Sequence, residues 1–568
     1  MILLLLWAVL AVSCLAYGLG LNNLLSRWRL VDSAEPARGS DLSLLGLVQL
    51  VMFVQLTSIF RPANYELALV WLAGAAFLLF GARKTVRPYL RRFLRQKKQM
   101  PVFGLMVLTV LLYSLLEPAN VDSGMYHLPS IRWYERFRVI PGLGNLHGRL
   151  AFNPSFFVTS AAFGFTDWAG QTLFPLNGFV FLVVCWRLLS LIRSVKPYRF
   201  LALVMLMLLF FYLIRQVFSP TPDVWATLFG LTIFFAWLDL PSGFTIRHVL
   251  IFLLVCLCLT IKLATIPLGL CLLPIGWSVW QRLTLRHGIM LGVMGLLVVV
   301  PWLVRTTILS GYLVYPFPAL DLFSFDWEIP NERVQFEKDF VGFWAKFRIL
   351  EPYYNPELLK TPVWQWVPRW LQHQEYYALN KPIWYLAAFS PLVALGHWWQ
   401  ADRRKRFQPW LVPWLVALAG FLFWFLSAPE FRFGYSFIWM TAFLPWLPFI
   451  PPKTAYWNLV PWSHAILIGL LAVLLIYFGY HYVGQERFPL QTHWLLPQPL
   501  TYRSRGTEKA VFVQNRTQSG LLVLTPAHAP ILQSCFDQEK PCSPYFYPDL
   551  ELRGKTIADG FRSARRNE

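Results

Sequence analysis

Charge is scarce in this chain. Asp, Glu, Lys and Arg make up 14% of its 568 residues, against 57% hydrophobic, and the mean hydropathy is +0.48. A soluble protein of average makeup carries about 25% charged residues, so an ordinary soluble domain is excluded. Disorder is excluded too, because it needs few apolar residues and many charges. Cysteine is thin: seven residues rule out a disulfide scaffold, and none stands with His at a metal-type spacing. There is no P-loop and no Gly-rich dinucleotide fingerprint, which argues against an ATP-driven pump. Aromatics are plentiful instead. The 27 Trp and 47 Phe point to membrane interfaces, where amphipathic rings sit at headgroup level.

Long apolar runs separated by short charged loops recur nearly end to end, and a spanning helix needs about 20 mostly apolar residues. The runs fall at 2–20, 42–60, 65–82, 101–117, 171–192, 200–214, 223–240, 248–262, 263–280, 288–304, 383–399, 409–427, 434–450 and 463–482. The expected fold is therefore an all-α polytopic membrane protein of about 14 helices. Residues 1–20 lack the basic start and small-residue cleavage site of a signal peptide and are expected to be the first helix. Residues 151–166 are apolar but short and read as an interfacial or re-entrant segment.

The positive-inside rule orients the stack. Arg83, Lys84, Arg87, Arg91, Arg92, Arg95, Lys97 and Lys98 crowd residues 83–98 with no acid among them, so this loop is expected in the cytoplasm. Alternation then puts Arg193, Lys196 and Arg199, Arg282 and Arg286, and Arg403, Arg404, Lys405 and Arg406 on the same side. Residues 117–170, 305–382 and the tail 483–568, balanced in acids and bases, fall outside. The net charge of +21 thus suits the anionic inner leaflet and not nucleic acid. The expected organisation is N-terminal spans and basic loop over 1–100, a membrane core over 101–304, an outer loop over 305–382, C-terminal spans over 383–482 and an outer tail over 483–568. In the tail, Cys535 and Cys542 flank Pro541. They are either a disulfide, which the oxidising outer side permits, or two unpaired thiols.

Ionisable groups at the mouth of a span are costly and suggest function. The densest stretch, 117–153, holds Glu117, Asp122, Tyr126, His127, Arg132, Asn145, His147 and Arg149, punctuated by Gly and Pro. Asp122 can accept a proton from an attacking hydroxyl or cap a helix. His127 is an alternative base, or orients a phosphate. Asp223 opens the seventh span after Pro222 and either caps it or contacts a sugar hydroxyl or a cation. Lys262 interrupts an apolar stretch, Arg305 ends the tenth span, and Arg432 stands between Phe431 and Phe433. Each is a candidate for a lipid phosphate. The bland alternatives are snorkelling for Lys262 and a structural pair with Glu430 for Arg432. Gly311–Pro316 and Asp326-Trp327-Glu328 form a second aromatic and acidic set.

This arrangement resembles the GT-C superfamily of integral-membrane glycosyltransferases, in which an acid of the first large outer loop follows a membrane helix, as Asp122 follows Glu117 here. The wording of 122–153, 311–328 and 428–434, and the closing Pro541–Tyr545, Leu552–Lys555 and Gly560–Arg562, also resembles an uncharacterised bacterial membrane-protein family placed near those enzymes. The resemblance implies transfer of a sugar, with inversion, from a polyprenyl-phosphate carrier to a glycan or lipid acceptor on the outer face of the inner (plasma) membrane. Asp122 would deprotonate or orient the acceptor hydroxyl. Lys262, Arg305 or Arg432 would stabilise the leaving phosphate, and Tyr126, His127, Arg132, Asn145 and His147 would shape the sugar pocket. Asp122 is followed by Ser123 and Gly124 where many GT-C enzymes have a second acid, so a divalent metal is not indicated, though Glu117 could supply the second acid and leave one possible. No other cofactor is implied. Three other readings compete: a carrier or flippase for a lipid-linked sugar, an O-antigen-type ligase or polymerase, and a non-catalytic assembly protein.

Overall fold

Every expected apolar run becomes helix, because each offers a long stretch of good helix formers whose backbone polar groups can be satisfied internally. The computed structural model describes residues 1–32, 37–118, 120–193, 198–241, 243–349, 353–374, 379–400, 409–450, 459–484, 495–499, 511–527 and 534–564. Lys196 and Arg403–Arg406 lie outside the described residues, and so do the side chains of Arg83 and Lys84. The helices run α1 (Ile2–Arg27), α2 (Gly39–Thr57), α3 (Tyr65–Leu94), α4 (Met100–Ser114), α5 (Leu128–Arg136), α6 (Ser155–Ala162), α7 (Thr166–Ala169), α8 (Pro175–Ile192), α9 (Tyr198–Leu208), α10 (Asp223–Leu238), α11 (Ile246–Ile261), α12 (Leu272–Val279), α13 (Leu285–Ser310), α14 (Asn331–Phe347), α15 (Val363–His373), α16 (Asn380–Gln400), α17 (Leu411–Ser427), α18 (Phe431–Phe443) and α19 (Leu459–Phe478). Among the described residues six helices are long and apolar enough to cross a membrane, or seven if the bent α3 is taken as one span. The protein is thus mostly helical, as a membrane protein would be.

The shorter apolar helices have a reason to be short. α10 has 16 residues, about 24 Å at 1.5 Å per residue, yet nearly all of it is buried by α8, α11 and α18. It is enclosed by protein and need not match a bilayer's thickness. α1 packs on α2, α3 and α8 as part of the same core, with the Trp7 indole donating to the Pro175 carbonyl at 2.8 Å. Within residues 151–166, read above as interfacial or re-entrant, Ser155–Ala162 form α6, which is wholly buried among α2, α3, α5 and α11. It does not lie on a surface.

Antiparallel packing sorts the helix ends into two sets. At one end Asp41 joins Arg187 and Arg247, Asp239 joins Arg38 and Arg247, and Asp32 bonds the Phe244 carbonyl at 2.7 Å. At the other end Ala63 bonds Tyr134, Gly142 bonds Ile308 at 2.8 Å each, and Asn177 bonds Ser219. Exposed aromatics collect toward both: Trp28, Trp277, Trp280 and Trp399 at the first, Phe60, Trp168 and Trp364 at the second.

The tail contributes two small antiparallel pairs, β1 (Phe512–Arg516) with β2 (Leu522–Pro526) and β3 (Leu550–Leu552) with β4 (Phe561–Ser563). Cys535 and Cys542 are joined as a disulfide. The tail is bolted to the second set of helix ends: Arg333 meets Asp549 at 2.6 Å, Arg553 meets Asp326 at 2.7 Å, and Phe561 donates to the Pro141 carbonyl at 2.9 Å.

Candidate functional site

Asp122 ends the link from α4 and enters a π-helical turn, Ser123–His127, which runs directly into α5. Pro129 explains the widened turn: it has no N–H to give a regular helix and its ring crowds the carbonyl four residues back. Single π-turns of this kind are frequent at functional sites. The Asp122 side chain caps nothing. Its carboxylate instead accepts from Arg432 at 2.8 Å, a residue 310 positions away at the start of α18.

Arg432 is held there by its surroundings. The Trp424 indole donates to the Glu430 carbonyl at 2.7 Å and the Trp370 indole to the Pro429 carbonyl at 2.8 Å, which fixes the α17–α18 corner. The other side of the guanidinium faces Asp223 at 3.6 Å. Asp223, in the first turn of α10, is bonded by the Lys262 ammonium, so it neither caps α10 with its side chain nor stands alone. Lys262 occupies the extended break between α11 and the 3₁₀ segment Leu263–Cys271, with its Nζ 3.3 Å from the centre of the Phe433 ring. It pairs with an acid. The same ring lies 5.2 Å from the Arg432 guanidinium, a cation–π arrangement that stabilises two neighbouring positive charges.

Arg149 continues the network, 4.0 Å from Asp122 and 3.7 Å from Glu337 of α14. Its guanidinium lies 5.8 Å from the Tyr126 ring. Glu430, expected as the structural partner of Arg432, lies 4.0 Å from it and is taken by Arg348. The side chains of Asp122 and Arg432 keep 17% exposure and Lys262 keeps 20%, so the cluster is sunken but not sealed.

His127 is buried beside Tyr126 and Phe157, and its Nδ1 has no hydrogen-bond partner among the described residues. Burial pushes it down to about 4, against the pull of Asp122 and Asp223. Burial would raise Asp122, but the Arg432 charge above all outweighs it and holds the carboxyl well below the usual carboxylate range. Asp122 is therefore a permanent anion at neutral pH and a feeble base, fit to orient a hydroxyl or balance a cation. Among the described residues no group of three or more His, Cys, Asp or Glu is arranged to hold a metal ion.

Other predicted positions go elsewhere. Arg305 is buried in a separate node, donating to Ser58 at 2.7 Å and Asn153 at 3.2 Å and stacked on Tyr134. It ties α13 to α2 and does not join Asp122. Arg132 is taken by Glu135 and by Asp537 of the tail. The Asn145 amide N–H group donates to the Gly142 and Trp327 carbonyls. His147 packs edge-on to Tyr545 and is pushed down to about 3 by burial and the Arg149 charge. The Glu117 backbone is bonded by Gln498. Glu337 and Arg348 escaped the sequence reading because they sit in an amphipathic helix and its cap, where charge is ordinarily solvated. That Glu337 is only 5% exposed could not be read from its neighbours.

This set of helix ends can be set against known proteins. The chain belongs to the family described as a domain of unknown function (DUF8201), whose model matches residues 1–439. No curated protein and no solved structure matches it. The match takes in Asp122, Arg149, Asp223, Lys262, Glu337 and Arg432, and leaves the tail outside.

Proposed function

We propose that this chain is a GT-C-like glycosyltransferase that moves a sugar from a polyprenyl-phosphate carrier to a glycan or lipid acceptor at the outer face of the inner membrane. The observation that carries the reading is the meeting of Asp122, Asp223, Lys262 and Arg432, from four separate helix ends, in one sunken and partly accessible cluster. In the proposed step the acceptor hydroxyl attacks the anomeric carbon. The new glycosidic C–O bond forms as the bond to the carrier phosphate breaks, and the phosphate leaves with the bonding electron pair. Asp122 holds the hydroxyl in line. The released proton ends on the departing phosphate, whose second ionisation lies near pH 6. Lys262 and Arg432 stabilise the charge growing on that phosphate, with Arg149 on the far side of Asp122 taking the place expected of Arg305. Without substrate the cations are matched by Asp122, Asp223, Glu337 and Glu430, so a lipid phosphate would have to draw Lys262 and Arg432 away from Asp223 and Asp122.

Sidedness belongs to the same proposal. The fourteen helices are taken to span, with residues 83–98 in the cytoplasm and Asp122 outside. The two exposed aromatic sets, the basic 83–98 loop and the disulfide on the Asp122 side support this.

Mass spectrometry of surface glycans and lipid-linked intermediates tests it. Cells lacking the chain should lose one glycan decoration and accumulate its lipid-linked donor, with rescue by the wild type but not by Asp122→Asn. Misplacing a nucleophile by about 1 Å can cost about 100-fold, so product should fall by about 100-fold while the protein still folds. Near-normal product from Asp122→Asn removes the assignment. A carrier for the lipid-linked sugar is favoured by one feature, the charged residue at the helix break of Lys262. In that case the donor would accumulate on the inner leaflet, out of reach of an impermeant probe.

A further inference from the structure

The tail 483–568 lies outside the family match, which ends at residue 439, yet part of it is seated on the turn that carries Asp122. The Phe536 N–H donates to the Gly124 carbonyl at 2.9 Å. Gly124 accommodates this contact because it has no side chain: a Cβ there would stand 2.7 Å from the Phe536 ring and 3.0 Å from the Ser534 hydroxyl. Further along the same helix, Asp537 takes Arg132 at 3.0 Å and Arg136 at 2.8 Å, and the Gln538 carbonyl takes Arg136 at 3.0 Å. These four contacts run along the π-turn and α5. The segment that makes them is closed into a small loop by the Cys535–Cys542 disulfide. That loop is anchored in turn to β2, through Leu524 donating to Pro541 at 2.9 Å and Ser543 donating to Leu524 at 3.0 Å.

We infer that the disulfide-closed loop 535–542 is a positioning element for Asp122: it clamps the π-turn and α5 so that the carboxylate stays aimed at Arg432. The physical case is one of entropy. A π-turn is a bulge that interrupts the regular helical ladder, and on its own it would sample several carboxylate directions. A covalently closed loop has little freedom left to lose when it docks, and it meets the turn with a backbone hydrogen bond and a carboxylate shared by two arginines. Asp537 touches neither the charge cluster nor a reacting group, so it acts through α5 and is a positioning residue. The inference rests on the reading of the Asp122 cluster as the working site, but the clamp is measurable without any knowledge of the reaction.

The test is hydrogen–deuterium exchange on the full chain in lipid nanodiscs, comparing wild type, Asp537→Ala, Asp537→Glu and the double variant Cys535→Ser/Cys542→Ser. Exchange of amides in 120–137 should rise about tenfold in Asp537→Ala and in the cysteine double variant, in line with loss of a local hydrogen-bonded lock. Peptides from α8 and α10 should stay as they were, and Asp537→Glu should restore protection. Unchanged exchange at 120–137 in both disruptive variants overturns the inference. So does loosening spread equally over the whole bundle, which would mark a general fold defect. Because exchange is read and not product, a chain that loosens locally but makes no glycan in any form keeps the clamp and loses only the enzymatic proposal.

Discussion

At the scale of the residue, Arg432 decides the state of the cluster. It separates Asp122 from Asp223, at 2.8 and 3.6 Å, and without it two poorly solvated carboxylates would lose a shared partner. Breaking a fully buried pair costs about 3–5 kcal/mol. With some solvent reaching this one, Arg432→Ala should cost about 2–4 kcal/mol, read as a lowered Tm of the purified protein. Arg432→Lys should recover part of the loss, since an ammonium keeps the charge but not the fork. Two buried imidazoles near the cluster give a pH signature. His127 at about 4 and His147 at about 3 lie below their ordinary 6.5. Below 6.5 the unfolded chain therefore binds protons that the folded chain refuses. Their contribution is complete above that pH and is lost on acidification through the folded values, by up to about 1.4 kcal/mol per pH unit for each. Asp122, also depressed, adds its loss only below about pH 4. Tm should thus fall between pH 7 and pH 5, and His147→Asn should flatten that slope. Parallel curves for the variant and wild type would show that the imidazole is not responsible.

At the scale of the element, the decisive contacts are close approaches of backbones. Gly18 of α1 and Gly46 of α2 let the two helices meet so tightly that a Cβ on Gly18 would stand 1.9 Å from the Leu42 carbonyl oxygen, and one on Gly46 would stand 1.8 Å from that of Cys14. Small residues are how apolar helices gain contact when lipid competes for every larger side chain. Gly46→Leu should force α1 and α2 apart at a cost of about 1–3 kcal/mol or more, seen as a lower Tm in detergent with the charge cluster intact. The sequence located these helices well, since fourteen apolar runs became helix. It mistook the use of several charges at their ends. Arg305 and Arg132 looked like ligand-binding cations, yet one locks α13 to α2 through Ser58 and Asn153 and the other ties α5 to Asp537. A residue 405 positions distant leaves no trace in the local pattern around Arg132. Glu337 was missed for the converse reason, a charge that looked solvated.

At the scale of the whole molecule, alternation of helix direction puts the Asp41–Arg187–Arg247–Asp239 network at one end and the Asp122 cluster at the other. If the proposed sidedness holds, a cysteine placed at Lys97 should resist an impermeant maleimide in intact cells and react only after lysis, whereas one at Lys540 should react at once. The described native free thiols are buried and should stay silent. The reverse pattern would put Asp122 in the cytosol and end the proposal for chemistry on an outer-face donor.

Composition and apolar run length alone determined that this chain is a bundle of membrane-type helices and roughly where they lie, because those properties follow from how far a run of side chains can satisfy its own backbone away from water; the ends differ, α3 running on to Leu94 and α4 stopping at Ser114. Which charges meet was decided only by tertiary structure. Asp122 and Arg432, or Arg132 and Asp537, are brought together by packing between distant helix ends, and the free energy of an ion pair depends on a partner and a burial that no local stretch of sequence contains.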